Sequence, residues 1–397
     1  MRFICLAGWL WICIGIASCD RTHHSRVSKE DITDCIGKPL TQNQEDKVRD
    51  KIDADKKSEK IQEIFDRKRR GGFNGSVLVA QNGVVIFEKN YGYATLKKKD
   101  SLTNQNTFQL ASLSKPFTAV ATLQLEEDKK LSLDDSVQVF FPNFPYKGIS
   151  IRSLLSHRSG LPNYMYAFMD SVTHGKKYPS NMELMHWFEK IKPQPYNRPE
   201  RGFTYNNSNY LVLAAIVEKV SKMSFEDYLK VNIFEPLGMN NTYLCTSRDE
   251  NFLHYKTAGH QAGKSIPKDY YDDIVGDKGI YSNTTDLYRF YKGLSNGCLL
   301  KKKTIEEAFT PRSFERKGMK NYGYGFRMHL NEFNEAKYIY HGGWWKGYNT
   351  ILWMSPEDQF VIIVLGNSYN RSVYQLKDVI DILHGEIQND DIDKDVQ

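Results

Sequence analysis

The stretch Phe108-Gln109-Leu110-Ala111-Ser112-Leu113-Ser114-Lys115-Pro116-Phe117 decides how the rest of this chain is read. Beyond Lys115, residues Phe117, Val120, Ala121 and Leu125 keep an apolar stripe at helical spacing, which places a helix start at or just after Ser112. Pro116 agrees with that start, because the N–H groups of a first helical turn lack partners anyway. Ser112 and Lys115 then lie three apart on one face, at the positive end of the helix dipole. A serine hydroxyl is a weak nucleophile that needs a neighbouring base, and a buried lysine can lose its proton and serve as one.

Ser-x-x-Lys alone is weak evidence, and the chain contains a second copy, Ser265-Ile266-Pro267-Lys268, in a loop with no helix to align the pair. Gly293-Leu294-Ser295-Asn296-Gly297 imitates the nucleophile elbow of α/β-hydrolases. That elbow needs a strand before it, whereas Thr285 to Leu294 reads as helix, so the glycines end that helix. Three further constellations lift the first copy above chance. Tyr205-Asn206-Asn207-Ser208-Asn209-Tyr210 precedes the apolar helix Leu211 to Val220, His341-Gly342-Gly343 ends a predicted strand, and His157-Arg158-Ser159-Gly160-Leu161 follows a short helix. At these positions the chain resembles the serine β-lactamase and penicillin-binding-protein superfamily, closest to its class C β-lactamase, DD-peptidase and esterase branch. That branch carries Ser-x-x-Lys, then Tyr-x-Asn, then Lys-Thr-Gly or His-x-Gly in this order, and the likeness runs from about Gly72 to Leu383.

The resemblance implies that Ser112 is the acyl-accepting nucleophile and Lys115 its proton partner, with Tyr205 a second acid/base group whose phenol the Lys115 ammonium acidifies. It implies that Asn207 bonds the substrate amide and that backbone N–H groups of Ser112 and Trp344 form an oxyanion hole. Gly342 and Gly343 would let a substrate lie against the strand. His341 stands where β-lactamases place a lysine. It orients a substrate carboxylate or caps the strand, and it weakens the case for a true β-lactamase. Trp344-Trp345 follow where the family often has a small residue; an indole turned into the cleft would narrow it, and one packed away would not. His157 reads as a structural turn, and Tyr205 could in principle be one more packing tyrosine among 24. No His-Glu-x-x-His or similar ligand spacing occurs, so neither a metal nor a cofactor is expected.

Outward from these motifs, Ser76 to Ala80 and Val84 to Phe87 flank Gln81-Asn82-Gly83, a strong hairpin signal. Tyr338 to Tyr340, Thr350 to Met354 and Phe360 to Leu365 read as three late strands, the last two joined by a Ser355-Pro356-Glu357-Asp358 turn. Ile61, Ile64 and Phe65 mark an amphipathic helix within Ile52 to Arg70. A closing helix from Arg371 to Ile387 carries Val373, Leu376, Val379, Ile380 and Leu383 on one face. The middle, from Ser112 to about Phe309, is mostly helical periodicity. The expected fold is therefore α/β (α+β) and β-lactamase/transpeptidase-like, with an antiparallel sheet from both chain ends flanked by helices and an inserted, mostly helical region.

The chain has 397 residues, 40% hydrophobic and 26% charged, which excludes disorder and leaves ample mass for a core. A net charge of +6 rests on short runs (Arg67 to Arg70, Lys97 to Lys99, Lys301 to Lys303) without interleaved aromatics, so they read as solvated faces and nucleic acid is a poor partner. Six scattered cysteines, with no C-x-x-C pair, indicate neither a disulfide framework nor a zinc cluster. Arg2 followed by apolar Phe3 to Ile16 is too short to span a bilayer and reads as a secretory signal over residues 1–18. Ile16-Ala17-Ser18-Cys19 resembles a bacterial lipobox, which implies acylation of Cys19 and a membrane anchor. Residues 19–53 would form a polar tether, 54–388 the hydrolase domain, and 389–397 an acidic tail. The functional expectation is an exported, envelope-anchored serine hydrolase working through an acyl-enzyme on a D-amino-acid peptide, an ester or a β-lactam. A catalytically inactive ligand-binding domain of the same fold is the alternative.

Overall fold

Asn82 and Gly83 both adopt left-handed backbone angles (φ 52° and 82°), as a two-residue hairpin loop requires. They join β1 (Gly75–Gln81) to β2 (Val84–Tyr91) at the predicted place. In this computed structural model, which describes residues 36–38, 40–169, 179–247, 250–315 and 318–385, the hairpin pairs with strands from the far end of the chain. Ahead of it run helices α1 (Gln42–Lys51) and α2 (Ala54–Arg70). After it come β3 (Phe108–Gln109), α3 (Lys115–Glu127), α4 (Asn181–Ile191), α5 (Asn207–Ser221), β4 (Tyr243–Leu244), β5 (Ile280–Ser282) and α6 (Thr284–Ser295). The chain finishes with β6 (Lys320–Tyr322), β7 (Arg327–Leu330), β8 (Ala336–Trp345), β9 (Tyr348–Ser355), β10 (Phe360–Gly366) and α7 (Lys377–His384).

The main sheet runs β6-β7-β8-β9-β10-β1-β2, antiparallel throughout, so both chain ends supply it as expected. The two-residue period of the strands sorts their apolar side chains onto two faces. Val77, Val79, Ile362 and Val364 pack with Ile61, Ile64 and Phe65 of α2 and with Val379, Ile380 and Leu383 of α7. Leu78, Ala80, Val361, Ile363 and Leu365 face the helical region. Helices thus cover both faces, and every residue of β1, β9 and β10 is buried.

Several expectations are corrected. Residues 42–51 form a helix and not a tether: the Gln44 side chain accepts from the Thr41 N–H at 3.0 Å, and Arg49 reaches the Val85 carbonyl at 3.2 Å. The helix buries no residue, which is why its periodicity was weak in the sequence. The closing helix is broken. A 3-10 turn covers Arg371–Tyr374, capped by the Asn370 side chain, and α7 begins at Lys377 and ends where Gly385 turns left-handed (φ 76°). A small sheet, β3-β5-β4, also went unforeseen, since strands of two or three residues carry no readable alternation. Cys298 is disulfide-bonded, whereas Cys245 is a free, buried thiol. Isolated cysteines far apart in sequence leave no local signature of pairing. Cys19, the signal segment and the acidic tail lie outside the described residues, among which no helix is long and apolar enough to cross a membrane.

Candidate active site

Ser112 lies in a 3-10 turn (Ala111–Ser114) directly before α3, with Pro116 in the first turn of that helix. Ala111, just ahead of it, is held at φ 51°, a costly conformation for a residue with a Cβ and one that persists only where its surroundings over-determine it. Those surroundings are two strands. The Leu110 N–H donates to the Ile280 carbonyl of β5 at 2.8 Å, and Thr350 Oγ1 of β9 donates to the Leu110 carbonyl at 2.6 Å. Gly343 of β8 completes the clamp, because a Cβ there would meet the Leu110 carbonyl oxygen at 2.0 Å. The His-Gly-Gly motif therefore abuts the nucleophile turn, and only a glycine permits that approach.

Lys115 is fully buried and its Nζ donates to three acceptors: Ser112 Oγ at 3.1 Å, Asn207 Oδ1 at 2.9 Å and the Asp277 carbonyl at 3.0 Å. Three acceptors match the three N–H bonds of an ammonium. Asn207 opens α5, which Asn206 caps by accepting from the Ser208 N–H at 2.9 Å, so the cap aims the next residue at Lys115. The Tyr205 ring lies 4.9 Å from Lys115 Nζ on one side and 4.8 Å from the Arg327 guanidinium on another. Burial alone would raise its phenol, but Lys115 and Arg327, with hydrogen bonds from Lys115 and Ser112, bring it below the ordinary tyrosine value. Ser112, Tyr205, Asn207 and Arg327 all remain half-buried, open to a ligand.

Two histidines stand behind this group. His157 is buried at φ 57°, accepts from the Asn206 N–H at 3.2 Å, and packs its ring 4.4 Å from that of Tyr205. It is a structural turn that positions Tyr205. His341 is 1% exposed, with Nε2 3.2 Å from the Tyr322 hydroxyl and Nδ1 2.8 Å from the Gly342 carbonyl. Burial first, then the charges of Arg327 and Lys115, holds His341 well below the usual imidazole range. A neutral ring with both nitrogens occupied cannot hold a substrate carboxylate, so that expectation for His341 is replaced by a role in fixing Tyr322 and β8.

For Trp344 the sequence left the direction of the indole open. Alternation along β8 puts it on the face opposite Gly343, where it is 59% exposed beside Tyr369. Trp345 points the other way and donates its indole N–H to Asp272 Oδ1 at 2.6 Å. Only the backbone of Trp344 stays near the motif. Both decoys fall out as read. Lys268 pairs with Asp273 at 3.1 Å, away from Ser265, and Ser295 is exposed where α6 ends. Ser295 lines a cavity of about 640 Å³ with Asn82, Pro356 and Gln359, at the end of the sheet remote from Gly343 and Ser112. Its size does not make it the chemical site, because the Ser112–Lys115–Asn207 hydrogen-bonded group stands at the other end of the sheet. Sequence reasoning missed Arg327, a lone charge in the apolar run Tyr322 to Met328, and the Asp277 carbonyl that receives Lys115. The first had that signal; a backbone acceptor has none.

A serine, a buried lysine, a tyrosine with a lowered phenol and an asparagine thus converge beside a glycine-bearing strand, on an antiparallel sheet sandwiched by helices. Fold and site together define the serine β-lactamase and penicillin-binding-protein superfamily, whose members are serine hydrolases. The chain belongs to the Beta-lactamase family, whose sequence profile matches residues 53–384. It is 34% identical over 332 residues to a penicillin-binding protein of Bacillus subtilis (strain 168), covering 79% of this chain and 73% of that one. Among solved structures it is similar to the octameric penicillin-binding protein homologue from Pyrococcus abyssi. There the TM-score is 0.70 at 27% identity, over 82% of this chain and 77% of that one. A class C β-lactamase shares the fold with TM-score 0.71 at 19% identity, over 85% and 99% of the two chains.

Proposed function

We propose that this protein is an envelope-anchored serine hydrolase that acylates Ser112 with the carbonyl of a D-amino-acid peptide or a small ester, in preference to a β-lactam. The observation that carries the reading is Ser112 Oγ placed 3.1 Å from a buried lysine that also grips Asn207, beneath a tyrosine whose phenol is acidified. With the Lys115 protons engaged as donors, the Tyr205 phenolate takes the Ser112 proton while Oγ bonds to the substrate carbonyl carbon. The backbone N–H groups of Ser112 and Trp344 hold the developing oxyanion, and Asn207 orients the acyl amide. Tyr205 then passes its proton to the departing amine or alcohol as that bond breaks. Water follows the same route in reverse and frees Ser112.

Arg327 favours substrates with a carboxylate. Its guanidinium hydrogen-bonds the Tyr205 phenol and forms no ion pair with a described carboxylate, so a substrate carboxyl group would be a second partner. With every acylating group in place, turnover is favoured over a binding-only role. The apolar Phe3 to Ile16 segment and the lipobox-like Cys19 support the anchoring part of this reading. Mass spectrometry after incubation with a fluorophosphonate or penicillin, with Ser112→Ala as control, tests acylation. Hydrolysis rates on a D-Ala-D-Ala peptide, a chromogenic cephalosporin and a short acyl ester rank the substrates. An adduct that persists in Ser112→Ala would remove this nucleophile.

A further inference from the structure

Asp277 gives its carbonyl oxygen to Lys115, and the chemistry above asks nothing of its side chain. That side chain is buried all the same, next to Lys278, and the pair is joined at 3.4 Å between Lys278 Nζ and Asp277 Oδ2. Tyr164, also buried, completes the group: its hydroxyl donates to Asp277 Oδ2 at 3.1 Å and accepts from Lys278 Nζ. Burial, and then the Asp277 carboxylate, holds the Tyr164 phenol well above its ordinary value, so it stays neutral and keeps the proton it donates. The rings of Tyr164 and Trp345 each lie 5.2 Å from the Lys278 ammonium, within cation–π range. Asp277 Oδ1 has no hydrogen-bond partner among the described residues, so the carboxylate is held through Oδ2.

A buried ion pair adds little net stability, but removing one partner leaves a bare charge that the interior does not tolerate. Here the bare charge would sit on the residue that seats Lys115. The preceding backbone is fixed: Gly276 is at φ 101°, where a Cβ would meet the Tyr210 carbonyl oxygen at 2.4 Å, and its own carbonyl accepts from Thr118 Oγ1 of α3 at 2.6 Å. An Asp277 carboxylate turning toward water would therefore swing the peptide that follows Gly276, and with it the carbonyl 3.0 Å from Lys115 Nζ. We propose that Lys278 is a positioning residue for the acylation of Ser112: its ammonium neutralises the Asp277 carboxylate and so holds the Asp277 carbonyl on Lys115. The inference rests on Ser112 as the acylated nucleophile, and it holds whichever carbonyl compound is the substrate. Lys278 works through Asp277 and not on the substrate, so its loss slows the chemical step more than it weakens binding.

Labelling of Ser112 by a fluorophosphonate, followed by mass spectrometry across probe concentrations, separates the rate at saturation from the half-saturating concentration. Lys278→Met should lower the saturated rate by about tenfold or more, as for a displaced catalytic group, with the half-saturating concentration changed by less than about threefold. The double variant Asp277→Asn, Lys278→Met buries neither charge, and it should label at least about fivefold faster than Lys278→Met alone. Lys278→Gln, which can still donate to Tyr164, takes the place of the methionine variant if circular dichroism shows the latter misfolded, and should be slowed likewise. A parental rate in a folded Lys278 variant would overturn the positioning role. So would a double variant as slow as the single one, because the loss would then not pass through the Asp277 charge. A loss confined to the half-saturating concentration would overturn it in favour of a binding role. A parent that the probe leaves unlabelled would instead overturn Ser112 as the nucleophile, and this inference with it.

Discussion

Replacing Arg327 by glutamine removes one of the two cations facing Tyr205 while keeping most of the side-chain volume. At a separation near 5 Å and an effective dielectric constant of about 20, a unit charge stabilises a phenolate by about 3 kcal/mol. Solvent at this half-open site reduces that figure, so the phenolate population at pH 7 should fall by about ten- to a hundredfold. A more basic phenolate abstracts a proton faster, which returns part of the loss. The direction is firm. Tyr205 works as base only when ionised, so activity rises as pH climbs through its titration, and loss of Arg327 moves that rise to higher pH. Single-turnover acylation of Ser112 against pH, measured with a short ester that has no carboxylate, reads this effect alone. The same measurement with a D-Ala-D-Ala peptide adds the cost of a lost carboxylate partner, so the peptide should suffer more than the ester. An alkaline rise that stays where it was, in a folded variant acylated by the ester at the parental rate, would refute the coupling between Arg327 and Tyr205. Equal losses for the two substrates would leave that coupling standing and refute carboxylate recognition.

Lys115→Met and Tyr205→Phe should each slow acylation by about two to four powers of ten, and the double variant should lose far less than the product, because groups acting as one unit are not additive; fully multiplicative rates would separate the two roles. Gly343→Ala forces a methyl group against the Leu110 carbonyl, so differential scanning calorimetry should show a loss of about 1–3 kcal/mol together with nearly abolished acylation. His157 and His341 are held neutral by burial, their imidazoles well below 6.5, whereas the unfolded chain protonates both near that value. Because only the unfolded state gains these protons, stability should fall by about 1.4 kcal/mol per pH unit for each histidine as pH drops below about 6.5. Denaturant titrations between pH 7 and pH 5 that show a flat midpoint would count against neutral burial. Cys19→Ser should move the protein from the membrane to the soluble fraction after cell lysis; continued detergent dependence would exclude the lipid anchor.

How far the chain could be read in advance followed the range of the interactions involved. The Asn82-Gly83 hairpin, the continuous apolar run of β10 and the Ser112-Lys115 spacing are local patterns with local causes, and the structure shows all three. The α1 helix escaped because it buries nothing, so no apolar stripe announces it. Arg327 escaped for the opposite reason. Its partner Tyr205 lies 122 positions earlier in the chain, and only the pairing of β7 with β8 brings the two together. The same distance argument separates His341 from its first reading. In the sequence, His341 could orient a carboxylate or cap the strand, and the tyrosine that engages its Nε2 and the arginine that opposes its protonation, which decide against the carboxylate, both come from β6 and β7. Once those two strands are in place the positive charge of the site belongs to Arg327 and Lys115, with His341 neutral between them. A site that swaps its cation from the glycine-bearing strand to a neighbouring one can keep the nucleophile chemistry of its relatives while presenting a carboxylate partner from a different direction. That displacement is the physical reason to expect a peptide carboxylate, carried on a flexible chain, to be accommodated better than the fixed carboxylate of a bicyclic β-lactam.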